Sequence, residues 1–152
     1  MLPREDIALA LIALLAPLQS TSPPLVATLS RRIVPAVQIQ PAQCPAVFQV
    51  ISDEHVQEGQ RTLEGMYVSV MGFDWMVYAY SAPSTSTAPS SVLNPIVDAV
   101  LGKLPPAGVP FVVDGVAMPL FWDGTIDYVD GMIANISIAR IPVKVMVPWA
   151  TP

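Results

Sequence analysis

Ten consecutive positions, Ile7 to Ala16, are apolar. A helix over Pro3–Ala16 follows from the flanks. Pro3 suits the first helical position, Glu5 and Asp6 suit the positive end of the helix dipole, and Pro17 stops the run. Its apolar residues surround the whole circumference, which predicts burial on several sides, within the fold or against a neighbour. The run is too short to span a bilayer as a helix. A secretory signal within residues 1–20 is the alternative. It is disfavoured because acids, not net positive charge, precede the run.

Gln19–Pro24 reads as a polar linker. Thr28–Pro35 reads as a first strand carrying Ser30-Arg31-Arg32, whose two arginines point to opposite faces. Ala36–Gln43 is a loop, Ala46–Ile51 a second strand, and the polar stretch Asp53–Arg61 a loop or hairpin tip. Leu63–Tyr80 is β-branched and aromatic with little alternation, as in a strand covered on both faces. Gly72 divides it, and one long bent strand is preferred to a turn at Gly72-Phe73-Asp74. Ser81–Ser91 is low in complexity, lacks core-forming residues, and is expected to be mobile in isolation.

A second helix is capped by Ser90, Ser91 or Asn94, with Pro95 in its first turn. It shows Ile96, Val97, Val100, Leu101 and Leu104 at helical spacing and ends at Pro105-Pro106. Asp-Gly occurs at Asp114-Gly115, Asp123-Gly124 and Asp130-Gly131, a tight-hairpin signal. Met132–Val147 reads as a final strand whose alternation changes phase. Ala134, Ile136 and Ile138 are apolar at even positions, then Ile141, Val143, Val145 and Val147 at odd ones. A bulge, a bend or a change of neighbour is expected near Ala139-Arg140.

The patterning thus predicts an α+β chain, read as one domain over 1–152. Composition adds a second theme. Only 12% of residues are charged while 53% are hydrophobic, against about 25% charged in ordinary soluble domains. Such a surface suits subunit contacts. The net charge of −5 argues against wrapping nucleic acid. The single cysteine, Cys44, excludes an internal disulfide.

Candidate chemistry is sparse. His55 is the only histidine, and its acidic surroundings Asp53, Glu54 and Glu58 match no metal-ligand spacing. Cys44 with His55 would be a catalytic pair only by elimination. There is no nucleophile elbow and no phosphate-binding glycine loop. Asp123, Asp127 and Asp130 lack calcium-loop spacing and are read as turn residues. Asn135-Ile136-Ser137 fits a glycosylation acceptor only formally. These absences make an enzyme the least supported class, and no cofactor or metal is assigned.

Several stretches, in order, resemble the tail terminator (tail-completion) proteins of long-tailed bacteriophages. They are the N-terminal Leu/Ala helix, Ser30-Arg31-Arg32, Pro45-Ala46-Val47-Phe48-Gln49, Val77-Tyr78-Ala79-Tyr80, Leu93-Asn94 with Asp98 and Leu101, Val113-Asp114-Gly115, and Ile141-Pro142-Val143 to Val147-Pro148. The chain departs from that family at Val113-Asp114-Gly115, where Leu-Gly-Gly is common. It is also longer over Asp53–Leu63.

The resemblance implies a curved, mostly antiparallel sheet with two main helices packed on it, in a ring-forming subunit. It further implies a structural virion protein at the tail–neck junction, assembled in the host cytoplasm. The ring, usually of six, would end tube polymerisation and join tail tube to neck or connector. DNA would pass through its lumen without specific binding, and no membrane is involved. Within this reading Arg31 and Arg32 are candidates for an inter-subunit contact with Glu58 or Glu64, an arginine pair used within one subunit being the alternative. The competing functions are a head-completion or other neck joint protein, and a secreted binding module.

Overall fold

A computed structural model describes residues 2–61, 66–83 and 86–150. Its frame is three long antiparallel strands, β2 (Ala46–Arg61), β3 (Met66–Tyr80) and β8 (Ile136–Ala150). β3 lies between the other two. Its register with β8 is unbroken from Met66 opposite Ala150 to Tyr80 opposite Ile136. β1 (Thr28–Ser30) runs parallel to the start of β2. β7 (Asp127–Ile133) pairs with the start of the outer side of β8 and β6 (Leu120–Trp122) with its middle, at Val143–Val145. β4 (Phe111–Val113) and β5 (Val116–Met118) form a separate hairpin. The fold is α+β, mostly antiparallel, with an open sheet and two main helices, α1 (Arg4–Ala13) and α2 (Ser90–Leu101).

Both helices lie on one face of the sheet. Ile7, Ala8 and Leu11 of α1 and Leu93, Ile96, Val97 and Val100 of α2 meet Phe73, Trp75, Val77, Ile141, Val143 and Val145 in the main core. Helix α1 is shorter than the expected Pro3–Ala16, because the ring of Pro17 would collide with the carbonyl of Ala13. The chain instead tightens into a 3₁₀ turn, Ala16–Gln19. Leu9 stays 49% exposed, so one chain covers only one side of this apolar helix.

Gln49 anchors α1. Its side chain is 3% exposed. The Nε2 donates to the Ala8 carbonyl at 2.8 Å, and the Oε1 accepts from Trp75 Nε1 at 3.1 Å. A buried amide is tolerated because both its ends are partnered.

Five further expectations change. The first strand shrinks to Thr28–Ser30, since the chain bends where the Arg32 amide donates to Ser30 Oγ at 3.0 Å. The polar stretch Asp53–Arg61 is strand, because β3 supplies a partner along it and a ladder overrides weak local propensity. The irregularity near Gly72 belongs to β2, which bulges between Ile51 and Asp53, while β3 is one continuous strand as preferred. Helix α2 starts at Ser90 with Pro89 as its N-cap, so none of Ser90, Ser91 and Asn94 caps it and Pro95 falls inside it rather than in its first turn.

The last change removes the phase shift. Residues 127–150 form two strands joined at Ala134-Asn135, both at positive φ (50° and 61°), the geometry of a two-residue hairpin. Odd residues of β8 face the helices throughout. Ile136 and Ile138 face the other way and join a second cluster with Ala36, Ile39, Phe48 and Tyr78. The apolar phase changes because another covered face begins there, not because the strand turns. Of the Asp-Gly pairs, Asp114-Gly115 makes the expected two-residue hairpin, with φ of 49° and 80°.

Candidate assembly surfaces

Arg31 leaves the end of β1 and reaches back to α1. Its guanidinium grips both oxygens of Glu5, one at 2.9 Å. That hydrogen-bonded pairing holds the Glu5 carboxyl below its ordinary range. Arg31 is therefore engaged within its own chain. Arg32 is exposed, and no ion pair engages its guanidinium among the described residues. Glu64 and the side chain of Glu58 lie outside the described residues.

A polar clasp joins α1, β2, β3 and β8. Arg4 donates to both oxygens of Glu54 at 2.8 and 2.9 Å, and its guanidinium stacks 4.6 Å from the ring centroid of Trp149. Ser69 Oγ donates to Glu54 at 3.0 Å and accepts from Trp149 Nε1. The Arg4 hydrogen bonds hold the Glu54 carboxyl below its ordinary range.

The sheet face away from the helices is divided. The segment Val34–Cys44 covers one end. The other end carries charge. Lys144 bridges to Asp53 at 2.9 Å across Gly72, where a Cβ would lie 1.9 Å from the Asp53 carboxylate. Arg140 contacts Asp74 at 3.5 Å and also Asp127. The Lys144 hydrogen bond holds the Asp53 carboxyl low. These five residues make a mixed, slightly acidic surface.

Apolar surface lies at the sheet edges. Ile51 and Val56 on β2, Trp122 on β6, and Tyr128, Val129 and Ile133 on β7 are all exposed. Beside β6 opens a cavity of about 490 Å³ between Pro105–Pro110 and Ala117–Phe121. A second, of about 380 Å³, adjoins it against Ala10, Ala13 and Leu14 of α1. Their linings are almost wholly apolar and hold no acid–base pair, so they suit contact with apolar groups rather than bond-making chemistry.

The chemical candidates are scattered. Cys44 precedes β2, and burial pushes its thiol up. His55 stands exposed opposite Val70. His55 lies nine positions beyond Ala46 on β2, about 30 Å along the strand, so Cys44 and His55 cannot pair. No group of three His, Cys, Asp or Glu side chains converges among the described residues. None of the described helices is long and apolar enough to cross a membrane. Sequence reasoning missed the edge residues Ile51 and Trp122 because their exposure depends on strand register, which no local pattern carries.

No protein-family model and no curated protein matches this chain. A solved chain in a structure titled "Virion of native gene transfer agent (GTA) particle" shares the fold. The likeness covers 91% of this chain and 84% of that chain, at a TM-score of 0.51 and 15% sequence identity.

Proposed function

We propose that this protein is a structural subunit of a phage-like virion, forming a homo-oligomeric ring at the head-proximal end of the tail tube. The observation that carries the reading is the fold shared with a virion chain over nine-tenths of the present one. The ordered motifs from Ser30-Arg31-Arg32 to Val147-Pro148 supply the finer placement. In this role the ring, a hexamer, ends tube polymerisation and joins tube to neck. Its contacts are with its own copies, the tube protein and the neck protein.

Three properties support an assembly role. The sheet edges and α1 expose large apolar side chains that an isolated domain would bury. Arg32 offers an exposed guanidinium without an ion pair among the described residues, of the type that makes polar subunit contacts. The net charge of −5 suits a conduit that does not retain DNA in transit. The work is mechanical rather than catalytic.

The chain that shares this fold belongs to a whole virion particle, which also fits a head-completion or other neck joint subunit. Electron microscopy of particles assembled without the protein separates the two. Overlong or headless tails support the terminator, and filled heads that leak DNA support head completion. Normal particles would refute both.

A further inference from the structure

Two of the sheet's free edges among the described residues, on β2 and β6, are related by register. On its outer side β2 is paired by β1 only at Ala46–Phe48, so Gln49–Arg61 has no strand beside it among the described residues. At the other side of the sheet, β6 pairs with β8 alone. Ile51 stands opposite Phe73, Phe73 opposite Val143, and Val143 opposite Trp122. Directly opposed residues share a face, so these four form one row across the sheet. Phe73 and Val143 are 0% exposed, whereas Ile51 is 57% and Trp122 47% exposed. The row is filled in the middle and uncovered at both ends.

We propose that a second copy of this chain completes the row, the free edge of β2 in one copy lying beside β6 of the next, with Ile51 against Trp122. Each strand from β2 through β3 and β8 to β6 is antiparallel to the one before. β6 therefore runs antiparallel to β2, and the new pairing repeats the geometry already present. The β2 bulge follows Ile51. In the proposed antiparallel register Phe121 lies beside Ser52 and Leu120 beside Asp53, so β6 runs along the bulged part of β2. The apolar cavity at Leu120 and Phe121 lies on the approach to β6. The two edges differ, so the contact is head-to-tail and propagates from copy to copy, closing into a ring when the rotation closes. The inference rests on the ring reading and names the surface that builds the ring.

Cross-linking tests it, in a Cys44→Ser background with all positions otherwise native. Opposed residues in an antiparallel pair lie about 4.5–5.5 Å apart at Cα, within disulfide reach. Ile51→Cys and Trp122→Cys proteins, co-assembled and mildly oxidised, are expected to give a disulfide-linked dimer. Neither gives one alone, because a head-to-tail contact never places a residue against itself. Val37→Cys, on the segment covering the opposite face, gives no link with Trp122→Cys. As a readout independent of thiols, Ile51→Lys raises the concentration needed for assembly by at least about tenfold with an unchanged circular dichroism spectrum. Rings that form without the mixed link, or that tolerate Ile51→Lys, overturn the edge assignment and leave the ring reading standing. A link in either single variant alone overturns the head-to-tail geometry. A wild-type protein monomeric at every concentration overturns the edge assignment and the ring reading together.

Discussion

The amide of Gln49 ties α1 to the middle of the sheet by hydrogen bonds through the core, and replacing it tests how that core is specified. Gln49→Leu keeps the volume and removes two hydrogen bonds, to the Ala8 carbonyl and from Trp75 Nε1. Trp75 is fully buried, so its N–H is left with neither water nor a partner. An unsatisfied buried donor costs about 1–3 kcal/mol. Trp75→Phe strands the Gln49 Oε1 at a similar cost and adds a packing loss from the smaller ring, for a total of about 2–4 kcal/mol. The double variant strands neither group. It should lose about 1–2 kcal/mol less than the sum of the singles. For a chain of this size each kcal/mol moves the melting midpoint by about 2–4 °C. Urea unfolding of the four proteins at one fixed concentration measures the cycle, the fixed concentration holding any assembly term constant. Additivity within about 0.5 kcal/mol would refute the claim that the two side chains act as a pair.

Other outcomes follow from the remaining contacts. The folded carboxyl of Glu54 titrates below its ordinary value of 4.5 because Arg4 bonds its charged form. Its contribution is therefore present above that value and is lost as pH falls through the lower folded one. Glu54→Gln should unfold at lower urea than wild type at pH 7, and the gap should narrow as pH falls below the ordinary value of 4.5. Gly131 holds φ at 68° with Pro89 Cγ 2.8 Å from where a Cβ would sit. Gly131→Ala should cost more than about 1 kcal/mol by urea unfolding. Arg32→Ala should weaken ring formation in native mass spectrometry while leaving unfolding unchanged, and an unaltered ring would remove Arg32 from the interface.

The sequence displays most of what is local in this fold. The two helices, the Asp114-Gly115 hairpin and the long β3 are visible because proline, Asp-Gly and β-branched runs act over a few residues. Other features depend on partners far along the chain. Asp53–Arg61 looks like a loop until β3 is placed beside it. Ile136 and Ile138 look like a change of phase until the segment Val34–Cys44 is seen to cover their face. The candidate surfaces follow the same division. The arginine pair stands out in the sequence, but the link from Arg31 to Glu5 crosses 26 positions and the clasp from Arg4 to Glu54 crosses 50. The row from Ile51 to Trp122 requires three registers at once.

The position of β8 has a consequence for synthesis. It is made after the other described strands, yet β3, β6 and β7 all pair with it. During translation, at about 5–20 residues per second, some 7–30 s separate α1 from the strand that completes the sheet beneath it. Until then the Ile7–Ala16 run has only a partial sheet to cover it, and β6 and β7 have no ladder to join. The apolar faces of α1 and β3 therefore stay without this partner until β8 has left the ribosome. A helper that shields apolar segments on the ribosome would act on this protein chiefly in that interval.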